Sequence, residues 1–327
     1  MPVKTAVLLT NLGTPDQLER TSIRRFLQEF LSDPLVVGLP RLLWLPLLNG
    51  IILPLRSGKT LAAYSRVWTE DGSPLMTFSL RQQASLQRKL GERTPVALAM
   101  RYGNPSFKAT LQSLLAQGIE KLIVLPLYPQ FSITTTETSR AHLGDVLAKL
   151  AGTPAIKFIE SYYDHPAYIE ALAETVRDHW QQGQRHLLMS FHGLPQVNVE
   201  RGDPYQDQCE ETARLLVQKL SLDDSQWSIG YQSRFGKQTW IQPYTADVLQ
   251  DLVTRGITAV DVICPGFSAD CLETLDEIKI EYHDLFIEYG GEHFHYIAAL
   301  NDNDRHIEMM RSLVLPFLSA DSRSDSG

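Results

Sequence analysis

The chain has 327 residues, room for two domains of ordinary size, each with its own core. Thirty basic residues against 38 acidic ones leave a net charge of −8, and no Lys/Arg run exceeds two residues, which excludes a phosphate-tracking surface and nucleic acid as a partner. Cys209, Cys264 and Cys271 are odd in number and lack C-x-x-C pairing, so neither a disulfide framework nor a structural zinc site is expected and a reducing, cytoplasmic setting is.

Taken in chain order, MPVKTAVLLTNLGTPD is too short an apolar run for a secretion signal and reads as a first strand. After Pro15-Asp16, the spacing of Ile23, Phe26, Leu27, Phe30 and Leu31 predicts an amphipathic helix. LPRLLWLPLLNGIILPL, residues 39–55, is apolar but holds Pro40, Pro46, Pro54, Arg41 and Asn49-Gly50, which would leave backbone groups and a charge unsatisfied in hydrocarbon. It is therefore no membrane span. Apolar runs and helical periods then alternate to the end, with Ile169, Leu172, Val176 and Trp180 marking a helix after Pro166 and with Gly118 and Gly256 as helix stops. Eight strands result, and the alternation predicts an α/β protein of two Rossmann-like, doubly wound domains, each with a four-stranded parallel sheet.

The strand ends form two sets of four. VLLTNLGTP (7–15) answers LLMSFHGLP (187–195), VALAMRYGN (96–104) answers SIGYQSRFGK (228–237), IVLPLYPQFS (123–132) answers DVICPGFSAD (261–270), and KFIESYYDHP (157–166) answers HYIAALNDND (295–304). The last three pairs are offset by roughly 135 to 140 residues and the first by about 180, so the first half carries an insertion of some 40 residues after its first strand. The expected organisation is a first domain over 1–165 with an apolar insertion at about 35–90, a second domain over 166–318 and a polar tail over 319–327. In such sheets ligands lie beyond the strand carboxyl ends, and two sheets side by side form a cleft, so residues 39–55 read as an apolar lip at its mouth or as an extra packed layer.

No G-x-G-x-x-G or Walker loop is present, which removes support for nicotinamide or nucleotide chemistry. The strand ends offer other groups. His192 precedes Gly193, where backbone can approach a ligand; the plainer alternative is an imidazole bonded to a neighbouring carbonyl. Asp270, Glu273, Glu277 and Glu281 recur at a spacing that places all four on one face of a helix starting near Ser268 or Asp270, either a solvated acidic face or a path for cations and protons. His192 with Glu273 makes a mixed nitrogen and oxygen pair suited to Fe²⁺ but too sparse to hold a metal permanently. Arg101, Tyr102, Tyr128, Phe131 and Trp240 are core, lid, or surfaces for a flat aromatic carboxylate, with Trp240 stacking and Arg101 pairing.

LLTNLGTPD, LYPQFS, MSFHGLP, GDPY, YQSRFG and CPGFSADCLETLDEI, in that order over nearly the whole chain, resemble ferrochelatase in its short bacterial form. The resemblance implies a chelatase-like fold and insertion of Fe²⁺ into protoporphyrin IX with release of two protons, in haem synthesis. It implies His192 and Glu273 as the catalytic and metal-binding pair, Asp270 and Glu277 as flanking acidic positions, and Leu12, Arg101, Tyr102 and Trp240 along the macrocycle. Leu12 stands where other members carry Met or Tyr, and Cys271 where animal relatives carry His. Some relatives bind a [2Fe-2S] cluster through a cysteine-bearing C-terminal extension. This chain has VLPFLSADSRSDSG and has Ile133 in the region of another cluster ligand, so no cluster and no permanently bound cofactor are expected, iron being substrate. The lip would cover the macrocycle and make a weak peripheral contact with the inner membrane through residues 39–55. Rival readings are a porphyrin carrier without turnover and a chelatase for another tetrapyrrole or metal.

Overall fold

The computed structural model of the chain describes residues 3–181, 183–236 and 238–319. Its first sheet is built from β1 (Thr5–Gly13), β2 (Val96–Tyr102), β3 (Lys121–Pro126) and β4 (Ala155–Phe158). Between β1 and β2 lie α1 (Arg20–Leu31), α2 (Arg41–Leu47), α3 (Leu53–Val67) and α4 (Pro74–Leu90); α5 (Phe107–Ala116) and α6 (Thr138–Leu147) follow β2 and β3. After α7 (Pro166–Trp180) the second sheet takes β5 (His186–His192), β6 (Trp227–Gln232), β7 (Ala259–Ile263) and β8 (His293–Ile297). Helices α8 (Gln196–Glu200), α9 (Tyr205–Leu220), α10 (Thr245–Thr254) and α11 (His283–Glu288) connect these strands, and α12 (Asp304–Ser319) ends the described chain.

Both sheets are wholly parallel and share one strand order, β2-β1-β3-β4 and β6-β5-β7-β8, as the eight predicted strands require. The repeat extends to detail. Gly13 lies opposite Tyr102 and Gly193 donates its N–H to the Gln232 carbonyl at 2.8 Å, while Met100 and Tyr231 donate theirs to Pro105 and Pro243. Apolar residues fill both cores because parallel strands are covered on both faces: Leu8, Val124, Phe107 and Leu143 pack in the first, and Leu188, Val260, Val262, Ile278 and Phe286 in the second. Helix ends follow local chemistry. Ser73 and Ser106 cap α4 and α5 by accepting the Met76 and Ala109 N–H groups, and Gly118 and Gly256 take the left-handed conformation that closes α5 and α10.

The segment expected as the insertion, about 35–90, holds α2, a π-helical turn at Leu48–Ile52, α3 and α4. Pro40 caps α2, Pro46 keeps it short, and Pro54 sits in the first turn of α3, where a missing N–H costs nothing. The segment is held on α1: Trp44 Nε1 donates to the Leu31 carbonyl at 2.6 Å, Arg41 to Ser32 O at 3.0 Å, and Arg20 to Pro54 O at 2.7 Å. Leu48 and Leu53 are buried, but no residue of α2 is. No described helix is long and apolar enough to cross a membrane.

The domain boundaries differ from expectation at three places, the first being a division at 160/161 instead of 165/166. The first compact unit takes the chain up to 127, then 133–160, and resumes at 302; the second takes 128–132 and 161–301. Thus α12, expected in the second domain, belongs to the first, where Lys121 Nζ donates to the Phe317 carbonyl at 2.8 Å and Lys89 pairs with Asp304 at 3.4 Å. The segment 128–132 crosses the other way, with Gln130 donating to Thr212 at 3.0 Å and Ser132 to Asp203 at 2.8 Å. Residues 320–327 of the expected tail lie outside the described residues.

Two glycines give opposite expectations. Gly13 has φ +108°, and a Cβ there would meet the Tyr102 carbonyl oxygen at 1.8 Å, so Gly13→Ala is expected to cost about 3 kcal/mol or more in urea unfolding. Gly58 lies in α3 with nothing within 4 Å of its would-be Cβ, so Gly58→Ala is expected to stabilise by about 0.5–1 kcal/mol.

Candidate active site

His192 is the last residue of β5, in register with Gln232 at the end of β6. Its Nδ1 lies 2.7 Å from the Gly193 carbonyl. A carbonyl only accepts, so Nδ1 carries the proton and the lone pair of the neutral ring sits on Nε2. The carbonyl bond foreseen as the plain alternative for His192 is therefore present, and it leaves Nε2 as a base or metal ligand. Gly193 makes this placement possible, because a Cβ at that position would lie 2.7 Å from Gln232 O and 3.2 Å from the Trp240 ring.

The acidic segment differs from the expected helix. It is π-helical from Glu273 to Tyr282, a rare winding found most often at functional sites, and it starts after Asp270 rather than at it. Asp270 is consequently no member of a one-faced stripe. It is buried, and its carboxylate accepts from Thr274 Oγ1 at 3.0 Å, Tyr296 Oη, Ala299 N at 3.3 Å and Asn301 Nδ2 at 2.7 Å, which ties the loop after β7 to the loop after β8. Glu281, at the far end, is exposed.

Glu277 is gripped from β6. Its Oε1 accepts the Ser233 N–H at 2.7 Å, and its Oε2 accepts the Ser233 hydroxyl and Gln232 Nε2 at 3.3 Å. Ser233 takes φ +66° to turn both donors toward it, a left-handed conformation unusual for serine. Burial is the largest influence on the Glu277 carboxyl and pushes its pKa up, the Ser233 donors and the His192 imidazole pull it down, and Glu273 pushes it up again. His192, Glu273 and Glu277 therefore share one electrostatic neighbourhood. Glu273 also accepts a hydrogen bond from the buried Cys271 thiol, whose pKa is raised first by burial and then by that carboxylate.

Gln232 was not singled out from the sequence, yet it joins these parts. Buried itself, it donates through Nε2 to the Glu273 carbonyl at 3.0 Å and accepts through Oε1 from Ser190 Oγ at 2.9 Å. Its only sequence signal is a polar residue ending a strand equivalent to the one that ends in Arg101-Tyr102. Phe267 was missed likewise; its ring lies 6.5 Å from that of His192.

The four expected macrocycle contacts fare differently. Trp240 is 3% exposed, with Nε1 donating to Phe235 O at 3.0 Å, so it is a support under Gly193 and not an open stacking face. The exposed ring is Phe235, 52% accessible and 5.3 Å from Trp240. Tyr102 is fully buried with its hydroxyl on Asp33 Oδ2 at 2.9 Å, which leaves it no free surface for a ligand. Arg101 pairs with the same Asp33 oxygen and lines a cavity of about 650 Å³ in the first unit with Arg25, Glu29 and His142. Leu12, near the end of β1, is half-buried.

The raised Glu277 pKa carries a pH signature. A carboxyl raised in the folded state gives stability that is complete below the ordinary glutamate value of about 4.3 and lost as pH rises through the folded pKa. Glu277→Gln is uncharged throughout, so its stability relative to the parent is expected to improve from pH 4 to pH 8 in paired urea titrations; a constant difference would show that Glu277 is not held at a cost.

The ferrochelatase family model matches residues 4–317. A ferrochelatase of Aeromonas hydrophila is 49% identical over 319 residues, covering 96% of this chain and 98% of the relative, and one of Vibrio vulnificus is 50% identical over 313 residues, covering 95% and 98%. Among solved structures, SirB from Bacillus subtilis with Fe³⁺ superposes with a TM-score of 0.59 at 11% identity, covering 99% of this chain and all of that one. CbiX, described as the terminal enzyme for biosynthesis of sirohaem in denitrifying bacteria, superposes at 0.52 with 12% identity over 95% of this chain and 98% of its own; both likenesses concern the fold alone. Half-identity along the full length of these relatives and a family match from end to end establish that the chain belongs to the ferrochelatase family of metal chelatases.

Proposed function

We propose that this protein inserts Fe²⁺ into protoporphyrin IX to give protohaem, releasing two protons, as a step of haem biosynthesis. The observation that carries the reading is the fixed tautomer of His192, whose Nε2 lone pair lies in the neighbourhood of the Glu273 and Glu277 carboxylates. Iron enters as substrate, replaces two pyrrole N–H protons, and leaves within the macrocycle, so the protein must accept protons and need not keep metal.

In this reading His192 Nε2 takes a pyrrole proton, a task for which an imidazole with an open lone pair is suited. Glu273 guides the hydrated ion or receives the second proton. Glu277, with a raised pKa and fixed by Ser233, receives protons passed on from the imidazole. Asp270 is left out of that path because its oxygens are engaged by Thr274, Tyr296, Ala299 and Asn301. Bending the ring so that its nitrogens meet the metal draws on contacts elsewhere on the macrocycle, and Phe235, backed by Trp240, is the aromatic surface proposed for one of them. No permanently bound cofactor is part of the proposal. The thiols of Cys209, Cys264 and Cys271 are buried and burial pushes their pKa values up, which disfavours the thiolates that an iron–sulfur cluster needs.

The second element of the proposal is a weak peripheral membrane contact. Leu42 and Leu43 on α2 are 92% and 74% exposed, and Leu39, Leu47, Ile51 and Leu55 add to the same exposed apolar segment. Each such side chain gains about 1.5–3 kcal/mol on full burial, so even partial insertion of several supports reversible binding. The net charge of −8 assigns the attraction to apolar burial and not to anionic headgroups.

Two experiments test these readings. Protein, Fe²⁺ or Zn²⁺ and protoporphyrin mixed anaerobically should show the four visible bands collapsing to two at catalytic protein levels. His192→Ala should lower kcat/KM by about 10²–10⁴ while porphyrin binding and the circular dichroism spectrum persist; retained turnover would refute its role, and a spectrum saturating at one equivalent of protein would indicate a carrier. Leu42→Ser with Leu43→Ser should reduce flotation with phosphatidylcholine vesicles several-fold at unchanged turnover of porphyrin in detergent, whereas undiminished flotation would remove the lip from the contact.

A further inference from the structure

The second sheet carries another set of metal-ligating side chains, apart from its strand ends. His179 lies near the end of α7, Asp261 in the middle of β7, and His295 in β8 directly opposite Asp261 in register. One ligand atom from each lies within 4.8 Å of the other two, and the imidazole rings meet edge to face at 5.2 Å. Asp261 is fully buried. Its Oδ1 accepts from His179 Nε2 at 3.0 Å and Arg185 Nη1 at 3.3 Å, and its Oδ2 accepts from Trp180 Nε1 at 2.8 Å. Along β5, Leu187 is level with Asp261 and His192 ends the strand, a separation of about 16 Å at the usual parallel rise.

A buried carboxylate in the middle of a strand costs several kcal/mol unless a cation pairs with it. Arg185 supplies that pairing, and an ion pair alone would account for Asp261 and Arg185. It does not account for two imidazoles gathered beside the same carboxylate, His179 bonded to it and His295 within 4.8 Å, the latter exposed and therefore reachable from solvent. Two imidazole nitrogens and one carboxylate oxygen are a donor set of borderline hardness, and three protein ligands with an open side match sites that complete their shell with water.

We propose that His179, Asp261 and His295 form a second divalent-metal site, which takes a borderline transition ion such as Zn²⁺ from solvent. In a tetrahedral site ligand atoms stand about 3.3 Å apart, so side-chain rotations of the two histidines suffice to close the present spacing. On binding, the His179 proton passes by way of solvent from Nε2 to Nδ1, which leaves the Nε2 lone pair for the ion, and the ion takes the place of the Arg185 guanidinium on Asp261 Oδ1, so the carboxylate stays paired in both states. Occupancy ties edge strand β8 and the end of α7 to β7. The site makes no use of His192, and its existence does not rest on the proposed reaction.

The test is calorimetric titration of the full chain with Zn²⁺ at pH 7.5, in a His192→Ala background that weakens the strand-end pair. His192→Ala is expected to bind one equivalent; adding His295→Ala, an exposed position that leaves the fold intact by circular dichroism, should weaken that binding at least about tenfold. Adding Arg185→Gln should instead tighten it several-fold by removing the competing cation. Identical isotherms with and without His295 would overturn the proposal, as would weaker binding in the Arg185 variant.

Discussion

The site depends on one buried amide. Gln232 ends β6, and its side-chain amide accepts from Ser190 of β5 and from the Cys264 thiol and donates to the Glu273 carbonyl at the start of the π-helix and to the Glu277 carboxylate, while its backbone carbonyl accepts the N–H of Gly193. An amide with both donors and both acceptors engaged in a low-dielectric interior fixes the relative position of every group it touches, and leaving any of them unpaired costs about 1–3 kcal/mol. The imidazole of His192 and two carboxylates are thus aligned by backbone and amide contacts rather than by one another. That arrangement leaves the Nε2 lone pair of His192 open.

Carboxylates in the second unit divide into those already satisfied and those held ready. Asp270 and Asp261 each accept several internal hydrogen bonds and act as anchors, one between loops and one between a helix and the sheet. Glu277 is also fixed, yet burial raises its pKa, so it holds a proton more readily than an ordinary glutamate. In the first unit, the same logic of satisfied charge draws Arg101 and Tyr102 onto Asp33.

The architecture was legible because parallel strands and their turns leave strong local marks. Apolar runs marked eight strands, and the unequal offset between NLGTP and FHGLP pointed to an insertion at about 35–90, where α2, a π-helical turn, α3 and α4 lie. What was not legible depended on partners distant in sequence. The amphipathic period of α12 tells that one face is buried but not against which sheet, and Lys121 and Lys157 decide it for the first. Spacing alone placed Asp270 on a helical face, whereas Tyr296 and Asn301, from the next strand and loop, hold it outside the helix. Trp240 and Tyr102 stand at or after strand ends and so read as ligand-facing in the chain, but whether such a ring is covered depends on neighbours such as Phe235 and Asp33. His192 was singled out for its position at a strand end, while the nitrogen it leaves open became evident only from the Gly193 carbonyl.

The most direct measurement is metal insertion by Gln232→Leu, which keeps the side-chain volume and removes the amide. If the amide aligns the site, the variant folds, binds porphyrin, and loses at least about tenfold in kcat with a displaced pH–rate profile, because Glu277 and the start of the π-helix lose their tie to β6. A folded variant with the parent's kcat and pH profile would contradict the account.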